Sequence, residues 1–374
     1  MLTLPLELVN SIIDRVDNPA DILALALTCR LLKEILIPYI LDYRELHVDW
    51  RSSAALWIHL VCHPAFGQNV RKLHVHRNSR ALLRVPRITE EGNIEGSDAE
   101  AIRIEDTFFQ ALKLMSGLVS FTWDLGWAYW KPADFNSLFE ILGRSCPMLT
   151  SMDFSDIVDS QSKEAKEEGL ARRYAGFCSI RNIETFRYEL IINGPKFVYG
   201  MIAPTYIVRF LSTNPFLRIV RLAINKGDSH ESTFDSCFGD VLLPSLHTLE
   251  IGEFDFADEN TFPRFLSRNP SIVVLKTEYE FAAELLSLGD LPNLREFDCL
   301  GDCWVDLCLV KPPLRVLNGV WIDGEEYGVN SRGFQALKAA SSTLETIHIW
   351  HNKSLQPDLS WVTVAVPTAV IVRH

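Results

Sequence analysis

One short pattern, apolar-x-x-apolar-x-apolar, recurs from residue 70 to the end of the chain and constrains what the chain can build. Its clearest copies are Leu217-x-x-Val220-x-Leu222, Leu246-x-x-Leu249-x-Ile251 and Leu344-x-x-Ile347-x-Ile349. Looser copies start at Val70, Leu118, Leu149, Ile183, Ile272, Leu294 and Leu314, making ten in all. From Leu118 onward the starts lie about 20–34 residues apart, the spacing of stacked supersecondary units. Many copies follow Pro, Cys-Pro or Asn-Pro, and helical stretches are expected between them at 135–142, 206–211, 262–266, 281–286 and 334–340. Each unit then reads strand, turn, helix, turn. The first, fourth and sixth motif positions point into the core, and the third, fifth and seventh face outward on a parallel sheet. An ordinary α/β domain produces similar local patterns, but no glycine-rich phosphate loop follows any strand, which favours repetition over a doubly wound nucleotide-binding fold.

At 374 residues, 48% hydrophobic and 22% charged, the chain can bury a large core. The 48 acids against 36 bases give a formal charge of −12, and no Lys/Arg-rich block is present, so neither nucleic acid nor an anionic membrane is an expected partner. The first residues lack a basic start and a small-residue cleavage site, and no apolar run approaches the roughly 18 residues of a membrane span. The eight cysteines are irregularly spaced in a chain that needs no covalent staples. A reducing compartment, cytoplasmic or nuclear, fits this composition.

The segment before the repeats is helical. From Pro5 to Val16 the apolar residues Leu6, Leu8, Val9, Ile12, Ile13 and Val16 fill an arc of about 160°. Asn18 is positioned as the N-cap of a second helix, with Pro19 in its first turn and Asp21 near the positive end of its dipole. That helix is apolar all round from Ile22 to Leu27, and a third is expected from Cys29 to Ile37, before Pro38. Three short helices cannot cover so much apolar surface alone, so either the following domain or a second protein must do so.

The elements Leu4-Pro5-x-Glu7-Leu8, Ile12-Ile13, Asp17-x-Pro19-x-Asp21-Ile22-Leu23 and Leu25-Ala26-Leu27-Thr28-Cys29-Arg30, followed by Pro38, together resemble an F-box. Val16 stands where a larger Leu is common in that family. The later repeats resemble the leucine-rich-repeat family, although the asparagine or cysteine expected after the strand is mostly absent. Their degenerate, insertion-rich character is similar to that of fungal F-box proteins. The expected fold is therefore α/β: a three-helix F-box over residues 1–45, then an irregular leucine-rich-repeat-like solenoid with a parallel sheet over 46–374.

The resemblance implies that Leu4, Pro5, Leu8, Ile12, Leu23, Leu27 and Cys29 build or support a face for a Skp-family adaptor, and through it a cullin scaffold. The F-box should then pack loosely on the repeats and leave its apolar helices accessible. The outward strand positions Asp124, Asp153, Arg187, Glu189, Arg221, Glu250, Lys276, Glu278, Asp298, His348 and Trp350 mix both charges, which suits recognition of a protein. Arg187, Arg221, Glu250, Lys276, Asp298 and Trp350 are the substrate-binding candidates among them. The implied role is that of the substrate-recognition subunit of a Skp–cullin–F-box ubiquitin ligase. Such a subunit is not an enzyme, needs no cofactor, and leaves catalysis to other subunits. The alternative is an adaptor-binding or assembly scaffold without ligase function.

Other chemistry-bearing residues read as structural. His59 and His63 share a helix face at i,i+4, but the residues between them lack the glutamate of a metalloprotease helix. His74 and His76 share the outward face of a strand and read as solvated surface. Cys299, Cys303 and Cys308 match no zinc spacing and read as free buried thiols. Trp127, Tyr129 and Trp130 are either binding anchors or a plug for the sheet edge. The polar stretch 155–175 and the acidic stretch 90–100 read as exposed insertions.

Overall fold

The computed structural model describes residues 6–13, 15–16, 18–49, 53–76, 98–124, 135–159, 175–193, 202–225, 238–239, 241–252, 256, 258–278, 281–299, 301–322, 331–351 and 359–374. Most of the acidic stretch, most of the polar stretch, and Trp127, Tyr129 and Trp130 lie outside these residues. Chain contacts divide the protein into two compact units, residues 1–156 with 173–183, and residues 157–172 with 184–374.

The first unit opens with three short helices, α1 (Leu6–Ile13), α2 (Pro19–Ala26) and α3 (Arg30–Leu36). Asn18 caps α2 as its sequence requires, its side-chain oxygen accepting from Ala20 N at 2.9 Å with Pro19 in the first turn. The third α-helix ends at Leu36, and Pro38 stands in the first turn of the π-turn Ile37–Leu41 that follows it. One stripe of each helix closes a small core: Val9 and Ile13, Ile22 and Ala26, Leu32 and Leu36, joined by Ile40.

Arg44 ties this module to the first strand. Its buried guanidinium donates from Nη2 to the carbonyls of Ile13 and Val16, each at 2.7 Å, satisfying acceptors at the end of α1. Tyr43 stacks on Phe66 at 4.8 Å. At its C-terminal end the module thus touches the following segment through the Tyr43–Phe66 stack.

Strands β1 (Glu45–Asp49), β2 (Lys72–His76), β3 (Ser120–Asp124) and β4 (Ser151–Asp159) lie side by side in chain order, all parallel. Their inward residues align in rungs, Leu46, Leu73, Phe121 and Met152, then Val48, Val75, Trp123 and Phe154, all buried. Helices Ala54–Cys62, Asp98–Lys113 and Phe135–Ser145 connect successive strands. Parallel neighbours need such crossovers.

The second unit continues the same plan. Its strands are β5 (Thr185–Asn193), β6 (Ile219–Asn225), β7 (Thr248–Ile251), β8 (Val274–Thr277), β9 (Glu296–Cys299), β10 (Val316–Ile322), β11 (Thr346–His351) and β12 (Val370–Arg373), again parallel in chain order. The rung Phe186, Val220, Leu249, Leu275, Phe297, Leu317 and Ile347 runs through the core. The helices Ile202–Thr213, Thr261–Arg268 and Arg332–Ala340 stand where the sequence predicts them. The stretch 281–286 differs, forming only a 3-10 turn at Ala283–Leu285. Just beyond it Asp290 accepts from Ser287 N at 2.7 Å, and this local turn closes the segment before a helix can propagate.

The residues that precede prolines have a defined task. Asn269 is fully buried; its Oδ1 accepts from Leu243 N at 2.6 Å in the preceding repeat, while its Nδ2 donates to Phe265 O at 2.8 Å. Asn214, also buried, donates to Phe210 O at 2.9 Å. Side-chain amides thus satisfy backbone groups at the helix ends, the service that the absent post-strand asparagine would otherwise perform. The architecture is a leucine-rich-repeat-like α/β array with parallel strands.

Candidate functional site

The first two helices carry an exposed apolar stripe beside the buried one, and α3 adds a single exposed leucine. Next to buried Val9 and Ile13 lie Leu8 and Ile12; next to Ile22 and Ala26 lie Leu23 and Leu27; next to Leu32 lies Leu31. These five aliphatic side chains are between 40% (Leu23) and 68% (Leu27) exposed. Cys29, the N-cap of α3, is exposed beside them in sequence. Leu8, Ile12, Leu23, Leu27 and Cys29 therefore all lie on the surface, whereas Leu4 and Pro5 fall outside the described residues. Leu31 and the exposed Tyr39 were not anticipated from the sequence. The i,i+1 offset between a buried and an exposed stripe is the signal that reveals them.

The outward face of the second unit presents a charged rung. Arg187, Arg221, Glu250, Lys276 and Asp298 occupy one register line across β5 to β9, followed by Asn318 on β10. Arg221 Nε lies 3.6 Å from Glu250 Oε2, and Lys276 Nζ lies 4.0 Å from Glu250 Oε1 and 3.9 Å from Glu296 Oε1. The two arginines stand as like charges in register at one end. These half-exposed pairs contribute little stability, each about 0–1 kcal/mol, so their arrangement matters more for what they present to a partner.

Asp298 is the strained member. Burial raises its carboxyl pKa, Lys276 and His348 oppose this, and Glu250 reinforces it. Because the folded protein holds this proton more tightly than the unfolded chain, the stability it contributes is present below the unfolded pKa and is lost as pH rises through the folded value. Asp298→Asn should therefore raise the melting temperature at pH 7, with the gain vanishing near pH ~3, where an unperturbed Asp is mostly protonated. Thermal denaturation across that range checks this; a gain independent of pH would refute the assignment.

Trp350 is exposed at the next outward position of β11, with the ring of His374 stacked on it at 4.5 Å. In register with it stands a second exposed tryptophan, Trp321. Plain alternation from Leu314 would turn Trp321 inward. A bulge between Leu317 and Val320 inserts one residue into β10 and reverses the faces beyond it. Paired tryptophans beside a mixed-charge rung have the composition of a protein-binding surface.

The remaining sequence candidates have structural partners. His59 Nε2 shares a hydrogen bond of 2.9 Å with the Tyr43 hydroxyl, and His63 Nδ1 one of 3.0 Å with the His59 carbonyl. Both rings stack on Phe66. Cys299, Cys303 and Cys308 are buried free thiols, and burial pushes Cys308 up to about 12. Along β2 alone His74 and His76 look like plain surface, but the fold brings His47 beside them on β1. No local pattern marks His47, because the motif copy of β1 would start at Tyr43, which does not read as a repeat start.

No family model and no curated protein matches the sequence. Among solved structures, the chain is similar to the leucine-rich repeat-containing protein LegL7 from Legionella pneumophila, at 15% identity and TM-score 0.38, covering 69% of this chain and 82% of that one. It is also similar to the protein in the TLR13-ssRNA13 complex, at 13% identity and TM-score 0.35, covering 87% of this chain and 49% of that one. Among the described residues no helix is long and apolar enough to cross a membrane.

Proposed function

We propose that the protein is a non-catalytic substrate receptor of a Skp–cullin–F-box ubiquitin ligase, acting in the cytoplasm or nucleus. Its α1–α3 module would dock the adaptor, and its repeat sheet would hold a protein substrate. The observation that carries this reading is the exposed apolar set on the three helices, at Leu8, Ile12, Leu23, Leu27 and Leu31. A module that has already closed a core with one stripe gains nothing from the other unless a partner covers it. The F-box-like motif order in the same segment points to the adaptor as that partner. On the repeats, the rung from Arg187 to Asp298 and the Trp321–Trp350 pair supply charge registration and aromatic anchors for a substrate. Ligase function then follows from proximity, since a substrate lysine is held near a conjugating enzyme bound elsewhere on the cullin.

Reconstitution tests this. The chain should co-purify with a Skp-family adaptor and cullin, and a partner retained on the repeats should acquire ubiquitin when the conjugating machinery is added. Adaptor binding without conjugation would favour the assembly-scaffold reading. Failure of the folded chain to bind any Skp-family adaptor would overturn the proposal.

A further inference from the structure

We propose that His47, His74 and His76 form a binding site for a zinc-class divalent cation, with water completing the tetrahedron. This site is independent of adaptor binding. Parallel pairing sets His47 on β1 directly opposite His74 on β2, and His76 follows two residues on, on the same outward face. One ring nitrogen from each of the three can be chosen so that all lie within 4.8 Å of one another. A tetrahedral ion with nitrogens about 2.0–2.1 Å away sets them roughly 3.3 Å apart, so the cluster has to contract by about 1.5 Å. The rings now lie parallel, His47 on His74 at 4.3 Å and His74 by His76 at 5.9 Å. Rotation of each about its Cβ–Cγ bond turns the nitrogens toward a common point.

The surroundings favour a cation there. Among the described residues, His74 Nε2 is buried without a hydrogen-bond partner, so this nitrogen has been desolvated without compensation. Glu45 Oε1 lies 2.9 Å from His47 Nε2 and 3.8 Å from His74 Nε2, a carboxylate beside the cluster that can orient the His47 ring. Asp124 Oδ2, 3.8 Å from His76 Nδ1, can orient that ring from outside. Three imidazoles suit zinc and its neighbours better than magnesium or calcium.

The test is a titration of the intact chain with Co²⁺, followed by displacement with Zn²⁺. One equivalent should develop the intense visible bands of four-coordinate cobalt, and zinc should abolish them. His74→Gln and His76→Asn should each weaken binding by more than about 100-fold, beyond the loss typical of an outer-shell change, with the far-UV circular dichroism retained. Should one variant unfold, the other decides. Absence of saturable binding near one equivalent would overturn the site. So would bands that persist in the folded variants, since the ion would then sit elsewhere, for example on His59 and His63.

Discussion

Replacing Leu8 and Ile12 together by aspartate should abolish capture of a Skp-family adaptor while leaving the melting temperature of the chain nearly unchanged. The two side chains lie one turn apart on α1, exposed by 51% and 49%, so in the free protein a carboxylate at either position remains in water. Exposed substitutions of this kind shift stability by about 0.5 kcal/mol or less. In a complex the same positions would be desolvated. Losing two aliphatic anchors worth about 2 kcal/mol each corresponds to roughly a thousandfold in affinity, before any cost of burying charge. The contrasting variant is Ile13→Asp, one residue away but 1% exposed, which should collapse the module core. Pull-down combined with circular dichroism separates the outcomes, and a large fall in melting temperature for the double variant would place Leu8 and Ile12 in the core. Point changes are preferable to deleting residues 1–45, because that cut removes Tyr43 and with it the ring stacked on Phe66 of the remaining chain.

The repeats were legible because the motif is a direct print of burial. Each of the ten motif starts stands two residues before a strand, from Val70 before Lys72 to Leu344 before Thr346, and its inward positions are core, save where the bulge after Leu317 shifts the last of them to Val320. The array's ends were not legible. The motif copy of β1 would start at Tyr43, inside the helical module, and β12 has only exposed or half-exposed residues, so neither carries a plain apolar print. The candidate sites divide in the same way. Charges on consecutive outward positions could be read off by counting, which brought Arg187 to Asp298 into line. Trp321 was lost to the bulge, and the His47–His74–His76 cluster needed the pairing of β1 with β2, which no local pattern reports. For the helical module, the sequence showed too much apolar surface but not which stripe the core would take; that depends on how three helices meet.

The bulge itself rests on one residue, and Gly319→Ala should destabilise the chain by about 3–4 kcal/mol, lowering the melting temperature by roughly 6–16 °C. Gly319 has φ of +76°, and a Cβ there would sit 1.9 Å from Cys299 O and 2.9 Å from Cys299 C, on the backbone of the neighbouring strand. The left-handed conformation alone costs a non-glycine residue about 1–2 kcal/mol. The remainder comes from forcing β10 off β9, where the contact is with peptide backbone and no side chain can swing away. Gly289 is the control that separates the two costs. Its φ of +94° is equally unsuited to a side chain, but nothing lies within 4 Å of the added Cβ, so Gly289→Ala should cost only about 1–2 kcal/mol. Thermal denaturation of both variants decides the matter. Equal losses would mean that β10 yields without strain; then the reversal of faces that exposes Trp321 would owe nothing to close approach at Cys299.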